Sequence, residues 1–184
     1  LGILIKGMAE GMKNVVLIGF MGTGKTSVGR LLAGRLGCAF HDLDRKIEEK
    51  YGMSIPAMFR EHGESYFRAR EKEAVRAAAQ RANLVIATGG GTVKDPENVT
   101  LLRRRGILVA LTADVDTILQ RTATRGRRPV LDHADAGDRR AAIVRLLEER
   151  STLYETADIT VDTSGRSPLE VAERILQALR IWRR

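Results

Sequence analysis

Gly19-Phe20-Met21-Gly22-Thr23-Gly24-Lys25-Thr26 satisfies G-x-x-x-x-G-K-[ST] at every position. Average composition yields such a string by accident in on the order of one per cent of chains this long. Its setting narrows the reading further. A strand-length apolar run, Asn14 to Gly19, comes before it, and a helical pattern from Lys25 to Leu36 follows, with Val28, Leu31, Leu32 and Leu36 on one face. Strand, glycine-rich loop and helix N-terminus together form a phosphate cradle. Glycines let backbone N–H groups approach the phosphates, and the helix end adds partial positive charge. Lys25 is placed to reach the β- and γ-phosphates of a nucleotide and Thr26 to offer its hydroxyl to Mg²⁺. The motif does not say which reaction follows.

Further strand-length runs lie at 38–41, 84–88, 107–112 and 159–162, each followed by a helical pattern. Ser167, Pro168 and Glu170 supply an N-cap, a first-turn proline and a capping-box acid for the last helix. Five strands alternating with helices predict one α/β domain, a parallel sheet covered on both faces. With 184 residues, 43% hydrophobic and 29% charged, the chain fits a single globular domain. Residues 1–11 read as a short N-terminal arm without a part in function, and 12–184 as the domain. No apolar run approaches the ~20 residues of a spanning helix, and no targeting pattern is visible, so the expectation is a cytoplasmic protein with no membrane partner. No sticky surface pattern argues for assembly, so a monomer is expected.

The lone Cys38 has no thiol to pair with and is expected to be a buried strand residue; His41, His62 and His133 are scattered and form no metal pattern. The net charge of +8 favours anionic partners. With aromatic residues at only 4%, a base-stacking platform has little to be built from. Small anions are therefore preferred over nucleic acid.

Three more features bear on chemistry. Asp42 and Asp44 stand at the end of the second strand, where residues two apart share a side of extended chain and where open parallel sheets bind ligands; equally, Asp44 could cap a helix over 45–50. Thr88-Gly89-Gly90-Gly91 follows the third strand at a place where a Walker-B aspartate often supports the metal. Carboxylate support must then come from elsewhere, and Asp42 is the obvious source. Arg68, in Phe67-Arg68-Ala69-Arg70-Glu71, sits on a helix whose inner face is expected at Phe67, Ala74, Val75 and Ala78, and Arg150 on one beginning near Asp138. Guanidinium groups suit bidentate carboxylate or phosphate binding, but each of these could also be a solvated surface residue. Residues 122–137, with Arg125, Arg127, Arg128 and little apolar anchoring, break the alternation and read as a mobile lid or a solvated loop.

In this order the motifs resemble those of the shikimate kinases: GFMGTGKT, the aspartate pair DLD, FRxxE at 67–71, TGGG, Arg128-Pro129, and Arg150 ahead of Leu153-Tyr154. The resemblance runs from about Asn14 to Leu179. It implies the nucleoside-monophosphate-kinase variant of the P-loop fold, with a lid, and transfer of the γ-phosphoryl group of MgATP to the 3-hydroxyl of shikimate. By the same resemblance Asp44 contacts substrate hydroxyls and acts as base, and Asp42 supports Mg²⁺ through water. Arg68, Arg150, Gly89, Gly90 and Gly91 hold shikimate. Gly22, Thr23, Gly24, Lys25, Thr26 and Ser27 hold ATP. Arg121 and Pro168 flank its adenine with Arg166 nearby, and Arg128 closes on its phosphates. The chain departs from the family pattern at Leu43, where a small polar residue is usual, and at Thr152, where proline is common. A gluconate or nucleotide kinase on the same scaffold, and a non-catalytic nucleotide-binding module, are the rival readings.

Overall fold

In a computed structural model, which describes residues 13–123 and 136–182, five strands form one parallel sheet in the order β2-β3-β1-β4-β5. The strands are β1 (Asn14–Gly19), β2 (Ala39–Asp42), β3 (Leu84–Ala87), β4 (Gly106–Thr112) and β5 (Ile159–Asp162). Between them run α1 (Lys25–Leu36), α2 (Leu43–Tyr51), α3 (Ile55–His62), α4 (Glu64–Ala79), α5 (Pro96–Arg105), α6 (Val115–Ala123) and α7 (Ala136–Tyr154), and α8 (Pro168–Trp182) follows β5.

Alternation along β1 explains the layering. Val15 and Leu17 face α1 and α8, packing with Val28, Leu32, Val171 and Ile175. Val16 and Ile18 face the other way, into a cluster with Val75, Leu102, Ile118 and Ile143. Each fully buried aliphatic side chain contributes roughly 1.5–3 kcal/mol, and β1 is buried along its whole length. Leu31, expected on the inner face of α1, is 40% exposed; it lies at the margin of the stripe that Val28, Leu32 and Leu36 fill. A smaller cluster of Ile47, Met58 and Phe67 holds α2, α3 and α4 together. The capping box of α8 is formed as the sequence predicts: Ser167 N donates to Glu170 Oε2 at 2.8 Å, and Glu170 N to Ser167 Oγ at 3.3 Å.

Some boundaries move. Cys38 is not a strand residue but stands just before β2, half-buried, because its amide still donates to Ala33 O at the end of α1. Burial pushes its thiol pKa up. Helix α7 begins at Ala136, ahead of the expected start, and α6 runs to Ala123, so both ends of the 122–137 segment are helical. The rest of that segment and the arm at 1–11 lie outside the described residues.

The sheet edge that matters is fixed by β1 and β4, which pair in register up to Gly19 and Leu111. At Gly19 the backbone has φ 137°, and a Cβ there would sit 2.3 Å from Leu111 O. No side chain fits. Gly34, in α1, has open space around it. Gly19→Ala is therefore expected to lower stability by several kcal/mol or prevent folding. Gly34→Ala should be neutral or stabilising by up to ~1 kcal/mol. Chemical denaturation of the two variants checks this; equal effects would show that the Leu111 contact does not constrain the loop.

Candidate functional site

The loop after β1 turns back through Gly22 (φ 80°) and Gly24 (φ 94°) to start α1. Gly24 caps that helix with no side chain on its N–H groups, and the first turn holds no acidic residue. Its amides and partial positive charge are thus available to an anion. Lys25 is buried, and its Nζ donates to Gly19 O at 2.7 Å and Phe20 O at 2.8 Å. Thr23 is buried as well and donates to Phe20 O. Thr26 Oγ1 donates to Asp42 Oδ2 at 2.7 Å, which brings the loop hydroxyl and the strand-end carboxylate together.

The aspartate pair departs from expectation in one respect. Asp42, not Asp44, caps the helix: its Oδ1 accepts from Arg45 N at 3.3 Å, and α2 already starts at Leu43. Asp44 therefore lies in a helical turn and not in extended chain, so the two carboxylates are placed by a strand-to-helix junction. Asp44 Oδ1 is shielded from solvent and lies against the TGGG turn, where a Cβ on Gly89 would come within 2.8 Å of it.

Around that turn the charged groups converge. Glu71, on α4, is 1% exposed. It accepts from Arg68 Nη1 at 2.6 Å and from Thr92 Oγ1 at 2.6 Å. It joins Phe67, Val75 and Ala78 on the inner face of α4, with the expected Ala74 partly buried against the same core. Arg68 also donates from Nε and Nη2 to Glu64 Oε1, both at 3.0 Å. Burial works against its charge, but the Glu71 and Glu64 carboxylates outweigh it and hold its pKa above the ordinary value. Its guanidinium lies so close to Gly91 that a Cβ there would meet Nη2 at 2.7 Å. Arg150, from α7, is 5% exposed and thus no surface residue. Its Nη1 donates to Gly90 O at 3.2 Å, its guanidinium carbon is 5.4 Å from the centroid of the Phe20 ring, and its buried Nε has no hydrogen-bond partner among the described residues. A buried cation so incompletely satisfied suits an anionic ligand.

A second depression, of about 240 Å³, opens beside the loop. Gly22, Thr23, Gly24 and Ser27 form one wall, and Arg121, Arg166 and Pro168 the other, with Thr163 between them. Arg121 is braced by Thr163 Oγ1 and Thr163 O, each at 2.9 Å, and by Gly22 O at 3.4 Å. Arg166 is held by Asp162 Oδ2 at 2.6 Å. Burial works against the Asp162 carboxylate, yet hydrogen bonds from Ser164 and Arg166 keep its pKa below the usual range. Arg128 and Pro129 lie outside the described residues. Sequence reasoning gave no part to Thr92 or Thr163, and Glu71 entered only as the last residue of FRxxE, without a role. For Glu71 a signal existed: it stands three residues after Arg68, the spacing that lets two side chains of a helix meet.

Residues 21–180 match the family model for shikimate kinase. The chain is 47% identical over 169 residues to the shikimate kinase of Pelotomaculum thermopropionicum, covering 92% of this chain and 96% of that one. With the Geobacter metallireducens shikimate kinase the identity is 46% over 164 residues, 89% of this chain and 90% of the other. Among solved structures, shikimate kinase from Acinetobacter baumannii in complex with shikimate superposes with a TM-score of 0.88 at 39% identity, over 95% of this chain and 96% of that one. A sugar kinase from Janibacter, at 17% identity and a TM-score of 0.53 over 92% and 95% of the two chains, shares the fold alone.

The Glu71 carboxylate bears on stability as well as on the site. Glu71→Ala leaves Arg68 and Thr92 without their buried acceptor, and is expected to destabilise by about 2–4 kcal/mol. Glu71→Gln, which keeps an acceptor for Thr92, should cost less. Denaturant midpoints compare the three proteins; a loss under ~0.5 kcal/mol for alanine would mean that solvent already satisfies these groups.

Proposed function

The chain belongs to the shikimate kinase family and is an ATP-dependent kinase that phosphorylates shikimate, and from that premise we propose how its residues divide the transfer of the γ-phosphoryl group of MgATP to the shikimate 3-hydroxyl. The observation that carries the assignment is the convergence of Asp44, Arg68 and Arg150 on the TGGG turn. Arg68 and Arg150 clamp the substrate carboxylate, and Gly89, Gly90 and Gly91 present bare backbone to the ring. Asp44 orients the acceptor hydroxyl and takes its proton as the oxygen bonds to the γ-phosphorus. The bond from that phosphorus to the β,γ-bridging oxygen breaks, and ADP leaves. Lys25 exchanges its contacts with Gly19 O and Phe20 O for the β- and γ-phosphates. Arg121 and Pro168 flank the adenine, and Arg166 supports that edge. We assign Arg128 to the transferring phosphate and segment 122–137 to a lid, on the resemblance and on the general gain from charge stabilisation in a closed site.

Thr26 Oγ1 and Asp42 Oδ2 are hard oxygen donors side by side, the chemistry Mg²⁺ prefers. Thr26 would ligate the ion, with Asp42 acting through water. The chemistry a bound Mg²⁺ supplies is neutralisation of charge across the β- and γ-phosphates. The two guanidinium groups favour a small carboxylate acceptor over a nucleotide. A monomer is supported by the few large apolar side chains exposed among the described residues, Leu31, Leu169 and Ile181. No described helix is long and apolar enough to cross a membrane, and use of ATP fits a cytoplasmic setting.

ADP release measured separately with shikimate, gluconate and nucleoside monophosphates should show shikimate as the one good acceptor; comparable turnover on another would overturn the substrate assignment. Asp44→Asn keeps the size of the side chain but removes its charge, and kcat should fall by at least ~10²-fold. In Asp42→Asn the dependence on Mg²⁺ should shift to higher concentration, with activity returning at excess metal. Failure of excess Mg²⁺ to restore any rate would contradict the division of labour between the aspartates.

A further inference from the structure

Arg150 and Tyr154 stand four residues apart on α7, so they share one face of the helix. Both donate to the same atom: Gly90 O accepts from Tyr154 Oη at 2.9 Å and from Arg150 Nη1 at 3.2 Å. The two lone pairs of that carbonyl are thereby occupied. Gly90 also rests on the phosphate loop: a Cβ on it would meet Met21 N at 3.4 Å, Arg150 Nη1 at 3.7 Å and Gly19 O at 3.8 Å. Tyr154 is 7% exposed and packs in the cluster that holds Ile143 and Leu146, so core packing fixes where its hydroxyl points. Burial raises the phenol pKa, although nearby Arg150 acts in the opposite sense. It remains a proton donor across the working range.

Arg150 is different in kind. Its side chain is long, with several rotatable bonds, and its Nε makes no hydrogen bond among the described residues. Apart from the Phe20 ring, the contacts that orient the guanidinium are the Gly90 carbonyl and the Tyr154 hydroxyl that shares it. A planar trans peptide carries its C=O and the next N–H in opposite senses. Holding Gly90 O toward α7 therefore turns the Gly91 N–H away from α7.

We propose that Tyr154 is a positioning residue for the acceptor: by fixing the Gly90 carbonyl, its hydroxyl sets both the TGGG turn and the Arg150 guanidinium in the geometry that receives the substrate carboxylate. The proposal rests on the assignment of Arg150 to that carboxylate. A buried tyrosine commonly finds some hydrogen-bond partner, so the simpler account is a core ring whose hydroxyl is merely satisfied. The two accounts differ in which constant moves.

Tyr154→Phe keeps the ring and removes the one hydroxyl. Losing a single hydrogen bond of ordinary net strength corresponds to about a fivefold to tenfold rise in the shikimate KM, with the ATP KM and kcat within about twofold of the parent. Shikimate binding by calorimetry without nucleotide should weaken by the same factor. Arg150→Lys alone should weaken shikimate binding through loss of the planar fork. Because Tyr154 acts through Arg150, adding Tyr154→Phe to Arg150→Lys should weaken it little further. If Tyr154→Phe leaves the shikimate KM unchanged while Arg150→Lys raises it, the site assignment stands and the proposal fails. If Arg150→Lys has no effect on shikimate, the assignment itself fails. Fully additive effects, or a parallel rise in both KM values with a lowered melting temperature, would overturn the proposal in favour of an independent or general structural role.

Discussion

Burial of β1 on both faces is the constraint from which the site follows. Its side chains alternate between two cores, and its backbone bonds on one side to β3 and on the other to β4. Held this way, the strand can release the chain only at its carboxyl end, and the release occurs at Gly19, against Leu111 O. The order β2-β3-β1-β4-β5 brings the ends of β2 and β3 to one side of that point. Asp42 reaches Thr26, and Gly90 lies against the phosphate loop, because neighbouring parallel strands end side by side. The crevice above the carboxyl ends of such a sheet is the general ligand position of the architecture.

The half of the site assigned above to the acceptor is built largely from buried charge, which is expensive. Desolvating Glu71 and Arg150 costs several kcal/mol per group before any pairing is counted, and the partly exposed Arg68 costs less. Pairing offsets this for Arg68 and Glu71, where a 2.6 Å hydrogen bond and the Thr92 hydroxyl satisfy the carboxylate. Arg150 is left with neutral partners, the Gly90 carbonyl and the Tyr154 hydroxyl, and an aromatic face. An apolar core of the same volume would be at least as stable. The asymmetry between the two arginines has its physical sense in what each lacks without substrate.

Elements with one dominant signal were legible in the sequence. The Gly19 to Thr26 string, the five strands and the α8 capping box stand where periodicity and capping chemistry put them, to within a residue or so. Long-range partners were not legible. Nothing local says that Glu71 is buried, since glutamate on an amphipathic helix is ordinarily solvated, and its inward place depends on Thr92, 21 residues on. Which aspartate caps α2 was not legible for a related reason. Two aspartates two residues apart are equivalent by propensity, and the strand's pairing of Asp42 with Ala87 decides which one meets the first free amides. Arg150, 60 residues beyond Gly90, needed the family pattern to be singled out at all.

The hydrogen bonds of the site differ in how readily a substrate can replace them. Lys25 donates to two neutral carbonyls, and exchanging these for phosphate oxygens would set its charge against an anionic acceptor, the stronger kind of hydrogen bond. Arg68 is otherwise, since it already meets two carboxylates. Of these, Glu71 is locked by burial and by Thr92, whereas the Glu64 side chain is 56% exposed. An exposed ion pair of this sort is worth little, ~0–1 kcal/mol. An incoming carboxylate can therefore compete with Glu64 for Nε and Nη2 while Glu71 keeps the guanidinium in place. One carboxylate holds the arginine and the other stands where a ligand carboxylate can take over, so on the assignment proposed above Arg68 is oriented before substrate arrives.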